Sequence, residues 1–222
     1  MALLNNHASL AAARGLFSIT SKNRILGRER WPQTPDGVLL ACVHLSHYDP
    51  FAIGVLLRRP VAWMARIESF ATPWTDWLTR SCGGFPIDRF GFALPGIREG
   101  IERVNSGQLV GIFPEGEVMS GDRSVLNGAP MKEGVGLIAR RTGAPVVPCI
   151  VINSSQFSNV VPWLPFKAGT LWLGVGEPLA ANETLPHGRA SRAELTRRLE
   201  ESFRSLHREM VDTFEIPSDH AP

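Results

Sequence analysis

Short apolar runs alternate along the chain with stretches of helical periodicity, and this alternation restricts the possible folds more than any other feature of the sequence. Several runs are apolar on both faces, as expected of strands in a parallel sheet that is covered on both sides. The predicted strands span residues 38–44, 61–65, 109–113, 144–152 and 170–176. The predicted helices span residues 50–57, 95–107, 132–143 and 190–214. We therefore predict an α/β fold with a mixed, largely parallel sheet flanked by helices.

Length and charge narrow the class of protein further. The chain has 222 residues, and because domains average about 150 residues, we predict one domain over residues 32–222. Its formal net charge of +2 does not provide the concentrated basic surface that nucleic acids require, so no nucleic-acid partner is expected. Three cysteines without a CxxC pair favour a reducing, intracellular setting.

The N-terminal segment, residues 1–31, has a different character from the rest of the chain. It carries five arginine and lysine residues against one glutamate, interspersed with leucines and phenylalanine. This composition predicts an amphipathic helix on an anionic membrane surface, although a helix packed against the domain would have the same pattern. Because the chain has no apolar run of about 18 residues, we expect a peripheral protein rather than a membrane-spanning one.

The sequence VHLSHYDP places a histidine and a carboxylate at the end of the first strong strand. His44 and Asp49 stand in H-x4-D spacing, and open α/β sheets build their sites at the carboxyl ends of strands. A carboxylate beside an imidazole orients the ring and stabilises its protonated form, so the pair would make a general base. Asp49 could instead simply cap the helix that begins at Pro50, and His47 competes with His44 for the role of base.

A metal site is the chemical alternative for these two histidines and the aspartate. Zinc hydrolases need further protein ligands, and the other histidines lie far away along the chain in unpatterned contexts. We therefore expect no metal and no resident cofactor.

Three further segments present polar residues near predicted strand ends. The segment GGFPIDRFG brings Arg89 to a turn, where a guanidinium is suited to binding phosphate. The segment GIFPEGEV runs from a buried strand into a turn formed by Glu115 and Gly116, and Lys132 lies at the start of a predicted helix. Taken singly, these are a surface arginine, an ordinary turn and a solvated lysine.

The order of these four segments resembles the four motifs of the glycerolipid acyltransferases, which include 1-acylglycerol-3-phosphate acyltransferase. The resemblance covers roughly residues 38 to 180 and implies transfer of an acyl group from acyl-CoA or acyl-carrier protein to a hydroxyl of a lysophospholipid. It implies that His44 is the base and that Asp49 orients it. It also implies that Arg89, Glu115 and Gly116 bind the acceptor.

The third motif departs from the common form of this family. Where the family commonly has F-P-E-G-x-R-S, this chain continues with Glu117 and Val118, a form nearer to that of tafazzin, the phospholipid transacylase branch. Lys132 could supply the missing positive charge. Two alternatives therefore stay open: a transacylase or acyltransferase with a different lipid acceptor, and a non-catalytic lipid-binding domain.

Insoluble substrates imply contact with a membrane, and we expect the protein at the cytoplasmic face of the membrane. Besides the N-terminal segment, the segment SFATPWTDWLTR is a candidate contact, since Trp74, Trp77 and Leu78 are spaced for one helix face. The same residues would equally suit a core or a lid.

Overall fold

The computed structural model describes residues 21–34, 36–88, 91, 93–159, 169–181 and 189–217. These residues form a three-layer α/β fold around one seven-stranded sheet with the order β1-β7-β6-β2-β5-β3-β4. The strands are β1 (Ser21–Leu26), β2 (Val38–Cys42), β3 (Ala62–Arg66), β4 (Gly84–Ile87), β5 (Leu109–Ile112), β6 (Val146–Ile152) and β7 (Gly169–Val175). The α-helices are α1 (Asp49–Leu57), α2 (Pro73–Ser81), α3 (Leu94–Asn105), α4 (Gly134–Thr142) and α5 (Arg189–Phe214).

The sheet is mixed and largely parallel, which confirms the predicted fold class. Strands β4, β3, β5, β2 and β6 are all parallel to one another. Strand β7 runs antiparallel to β6, and β1 pairs parallel with β7 at the edge. Each of the five strands and four helices predicted above corresponds to an observed element.

The segment from residue 21 onward differs from the prediction. Residues 21–26 form strand β1 rather than part of an amphipathic helix, with Ser21 opposite Gly169 on β7. The backbone of β1 is paired along β7, and Gly27, with φ of 74°, turns the chain at its end. The prediction of a membrane-binding helix over residues 1–20 lies outside the described residues.

The two faces of the sheet bury separate cores, because successive side chains of a strand point to opposite sides. On β2, Leu39 and Ala41 face the core shared with α3, α4 and α5, whereas Leu40 and Cys42 face the core shared with α1. All four side chains are fully buried. Within the described residues, no helix is both long and apolar enough to cross a bilayer.

The directions of the strands determine where a site can form. Since five neighbouring strands are parallel, their carboxyl ends meet at one edge of the sheet, which is where open α/β sheets bind ligands. The segments that follow β2, β5 and β6 at this edge hold the residues described next.

Candidate active site

The histidine and aspartate of the H-x4-D motif are in direct contact. His44 Nδ1 lies 3.1 Å from Asp49 Oδ2, across the turn that joins β2 to α1. The Asp49 side chain is fully buried, and that of His44 is 15% exposed. The two residues therefore form a dyad with a buried carboxylate and an accessible imidazole.

The hydrogen bonds of Asp49 exclude its simple role as a helix cap. Its Oδ2 accepts hydrogen bonds from the backbone N–H groups of Leu45 and Ser46, each at 2.8 Å, so the carboxylate turns back towards the preceding loop. The N-cap position belongs to Tyr48, and Asp49 is the first residue of α1. The loop that carries His44 is thus folded around the Asp49 carboxylate.

These contacts favour one tautomer of His44. Because a carboxylate group in its ionised form can only accept hydrogen bonds, the contact with Asp49 Oδ2 is matched by a ring that carries its proton on Nδ1. The other nitrogen, Nε2, is then unprotonated and has a lone pair for a substrate. This is the arrangement that a general base requires.

Aromatic rings hold the imidazole from one side. The His44 ring stacks on Phe113 with centroids 4.0 Å apart, and Phe113 in turn stacks on Trp63 at 5.0 Å. His47, the competing histidine, is 6.2 Å from His44 in an edge-on arrangement. Since the dyad contact is made by His44, the geometry favours His44 over His47 as the base.

The third motif holds the backbone of His44 at both of its polar groups. Glu115 Oε2 accepts a hydrogen bond from the N–H of His44 at 2.8 Å, and the N–H of Met119 donates to the C=O of His44 at 2.9 Å. Glu115 Oε1 accepts from the N–H of Val125 at 2.9 Å and from the hydroxyl of Ser124 at 3.2 Å. Burial raises the pKa of Glu115, while these hydrogen bonds oppose the shift.

The dyad opens onto a cavity of about 360 Å³, a size typical of small-molecule sites. The cavity extends from His44 towards α2 and the carboxyl ends of β3 and β4. Its walls are mostly apolar, and they include Trp63, Met64, Leu78, Cys82, Ile87, Ile112, Phe113 and Val118.

A few charged and polar groups line the same cavity, and they include some of the predicted substrate-binding residues. Gly116 and Lys132 both line it, together with Arg66 and Glu117. None of these three charged side chains is paired with another charged group among the described residues. They are therefore available to a ligand.

One predicted substrate-binding residue is not brought to this lining. Glu115 is buried, and both of its oxygens are bonded within the protein, so its observed contacts are with the loop of His44. Arg89 lies outside the described residues. The roles predicted for both in acceptor binding remain predictions.

Sequence reasoning missed the contact that completes the dyad. Ser154, directly beyond the end of β6, donates from its hydroxyl to Asp49 Oδ1 at 2.5 Å and is 1% exposed. It also missed the aromatic support from Phe113. Phe113 is the first residue of the F-P-E-G segment, but its stacking on His44 depends on the pairing of β2 with β5. For Ser154, the signal in the sequence is a serine at the carboxyl end of a predicted central strand.

Among the residues that the structure describes, no group of three or more histidine, cysteine, aspartate or glutamate side chains could hold a metal ion.

Comparison with known proteins assigns this arrangement to a class. Residues 23–152, which span the dyad and β1 to β6, match the family model described as Acyltransferase. The chain belongs to the acyltransferase family.

One curated relative and one solved structure are similar to this chain. The chain is 30% identical over 169 residues to the 1-acyl-sn-glycerol-3-phosphate acyltransferase of Bacillus subtilis (strain 168), an alignment that covers 76% of this chain and 79% of that protein. Its fold is similar to the crystal structure of the 1-acyl-sn-glycerophosphate (LPA) acyltransferase PlsC from Thermotoga maritima. That match has a TM-score of 0.67 at 21% identity and covers 94% of this chain and 81% of the other.

Proposed function

We propose that this acyltransferase moves a fatty acyl group from the thioester of acyl-CoA or acyl-carrier protein to a hydroxyl of a lysophospholipid such as 1-acylglycerol-3-phosphate. The observation that carries the proposal is the contact between His44 Nδ1 and Asp49 Oδ2 at the mouth of an apolar cavity. The name of the Bacillus subtilis relative supports the choice of acceptor.

The proposed reaction uses the dyad as a base and then as an acid. His44 Nε2 removes the proton of the acceptor hydroxyl while the oxygen attacks the thioester carbonyl. The new C–O bond forms, the C–S bond breaks, and the leaving thiolate takes the proton back from the imidazolium. Asp49 stabilises the positive charge on His44 between these two transfers.

The cavity suits the two ends of such substrates. Its apolar part, between Trp63 and Leu78, matches a hydrocarbon chain. Lys132 and Arg66 supply positive charge to a phosphate group near the dyad.

The central claim is tested by replacing each member of the dyad. Acceptor-dependent thiol release from acyl-CoA should fall at least about a hundredfold in His44→Ala and in Asp49→Ala, because general base catalysis contributes roughly 10²–10⁴-fold. Asp212→Ala, an exposed aspartate on α5, is the matched control and should retain activity. Wild-type turnover in either dyad variant, with a folded protein, would refute the role of the dyad.

A second candidate function is acyl transfer to a lipid without a phosphomonoester headgroup. It is favoured by Val118, which lines the cavity at the position where the family commonly has an arginine, and by Glu117, the cavity-lining carboxylate next to it. A carboxylate there repels a dianionic phosphate, and a repulsive element is a common means of rejecting a ligand.

One screen separates these functions. Wild-type protein is incubated with labelled acyl-CoA or acyl-carrier protein and a panel of lysophospholipids, glycolipids, sterols and acylated amino acids, and the products are identified by mass spectrometry. Acylated lysophosphatidic acid as the main product supports the first function, and a different acylated lipid supports the second. Lipid binding without acceptor-dependent thioester consumption would support a non-catalytic lipid-binding domain instead.

We further propose that the protein lies peripherally on the cytoplasmic face of a membrane, with α2 towards the lipid. Trp74 and Trp77 stack with centroids 5.2 Å apart and are 67% and 56% exposed. Leu78 on the same helix is 39% exposed and also lines the cavity, so an apolar surface continues into the site. Tryptophan rings suit the boundary between lipid and water.

This contact is tested by sedimentation with anionic and with neutral liposomes. The double variant Trp74→Ser/Trp77→Ser should bind more weakly than the wild type. A deletion of residues 1–20, which leaves β1 intact, tests the N-terminal segment separately. Binding that neither change weakens would refute both proposed contacts.

A further inference from the structure

A buried serine lies on the far side of the dyad aspartate from the histidine. Ser154 is the second residue after β6, and it is 1% exposed. Its hydroxyl donates to Asp49 Oδ1 at 2.5 Å, although the two residues are 105 positions apart in the sequence. The bond joins the segment after β6 to the first residue of α1.

The backbone before Ser154 is in an unusual conformation. Asn153 has φ of 69°, in the left-handed region that non-glycine residues seldom occupy. Its side-chain amide donates to the C=O of Thr170 on β7 at 2.9 Å, which holds this turn in place. The turn directs the next side chain, Ser154, towards Asp49.

The two carboxylate oxygens of Asp49 are supported differently. Oδ2 faces His44 Nδ1 and two backbone N–H groups, whereas Ser154 supplies the hydrogen bond to Oδ1. Without that bond, Oδ1 loses the donor that the described residues provide for it, and the carboxylate is held through Oδ2 alone. A carboxylate held on one side only is less firmly oriented towards Nδ1 of His44, the contact on which the tautomer of the ring depends.

We propose that Ser154 is a positioning residue for acyl transfer. By holding Oδ1, it orients the Asp49 carboxylate so that Nδ1 of His44 keeps the proton and Nε2 stays the basic nitrogen. The proposal rests on the proposed function, in which His44 is the base. Ser154 itself touches neither substrate nor the reacting atoms.

Steady-state kinetics test the proposal with three variants. Ser154→Ala should lower kcat about tenfold, a small part of the roughly 10²–10⁴-fold supplied by a general base, while the KM for acceptor stays within about twofold. Ser154→Thr, which keeps the hydroxyl, should restore most of kcat. Ser155→Ala, a change at the exposed neighbour, is the matched control and should leave kcat unchanged.

A spectroscopic measurement tests it without turnover. Nitrogen chemical shifts of ¹⁵N-labelled histidine report which ring nitrogen is protonated, and the signals of His44 among the six histidines are identified by their loss in His44→Gln. The wild type should show the proton on Nδ1. Ser154→Ala should show a larger fraction with the proton on Nε2.

The outcomes separate this proposal from the proposed function. If Ser154→Ala keeps the kcat and the tautomer of the wild type, while His44→Ala is inactive, the role of Ser154 is refuted and that of the base stands. A fall in kcat with an unchanged tautomer and a lowered melting temperature also overturns it, because the loss is then structural. If His44→Ala is active, the base is wrong, and the tautomer measurement still decides whether Ser154 orients Asp49.

Discussion

Replacing Glu115 by glutamine tests whether Glu115, in the third motif, stabilises the loop of residues 43–48 that carries His44. We call this structural role of Glu115 the brace. Glu115 accepts three hydrogen bonds, from the N–H of His44, the N–H of Val125 and the hydroxyl of Ser124, and it is only 6% exposed. Glutamine has nearly the same shape but only one accepting end. If the side-chain oxygen of the glutamine faces Val125 and Ser124, its NH₂ group faces the N–H of His44. Both of these groups are donors, so the N–H of His44 loses its acceptor.

The expected loss in the free energy of unfolding follows from these contacts. A buried N–H of His44 left without an acceptor costs about 1–3 kcal/mol, and each of the two retained bonds loses about 1 kcal/mol once its acceptor is neutral. Removing a desolvated charge offsets part of this, since burial raises the pKa of Glu115. We expect Glu115→Gln to lower the free energy of unfolding by about 2–3 kcal/mol at pH 7.

The pH dependence of this loss has a definite sign. Because the folded-state pKa of Glu115 is raised above its ordinary value of 4.5, the contribution of this group to stability is greatest below 4.5 and falls as the pH rises through the folded-state pKa. The difference in the free energy of unfolding between the wild type and Glu115→Gln should therefore become smaller as the pH rises from 4 to 7.

The assay is denaturant unfolding followed by circular dichroism, together with kinetics at pH 7. Glu102→Gln, a change at an exposed glutamate on α3, is the control and should stay within about 0.5 kcal/mol of the wild type. A brace predicts lower stability and lower kcat with little change in the KM for acceptor. Wild-type stability combined with a raised KM for acceptor would refute the brace and favour direct acceptor binding by Glu115.

Two further substitutions and one alkylation experiment probe the scaffold and the cavity. Gly111→Ala would place a Cβ 2.4 Å from the Trp63 ring, so it should cost about 1–3 kcal/mol by overpacking; an unchanged melting temperature would contradict this. Arg30→Ala removes the bidentate pair with Glu209, which is partly exposed, and it should cost about 1 kcal/mol or less in chemical denaturation, a loss that high salt reduces. Burial raises the pKa of Cys82 to about 11, so its alkylation at pH 8 should be slow and should accelerate up to about pH 11; a half-maximal rate near pH 8.5 would refute the buried thiol.

Most elements of the fold were predictable because their local patterns are strong. Strands β2 and β6 are apolar on both faces, and the amphipathic stripe of α5 is continuous. Strand β1 was not predictable in this way, since SKNRIL is largely polar and lacks regular alternation. It is a strand because β7 offers an edge for pairing, and this tertiary effect overrides local preference.

The candidate site likewise has a part that follows from local sequence and a part that depends on long-range contacts. His44 and Asp49 could be singled out because they are near in sequence and follow a strong strand, so their contact across one turn is a local property. The brace from Glu115 bridges 71 positions, and its buried carboxylate is bonded to the loop that carries His44. Its role in the structure depends on the donors that surround it.

The sequence by itself determined the α/β class, the order of the central elements and the local dyad, because periodicity and short-range spacing encode these. Only the tertiary structure decided that the ends of β2, β5 and β6 converge, and with them the contacts of Ser154, Phe113 and Glu115 with the dyad. The physical reason is that strand pairing is a long-range choice. Parallel neighbours are joined by crossovers, so residues far apart in sequence become hydrogen-bond partners only once the register of the sheet is established.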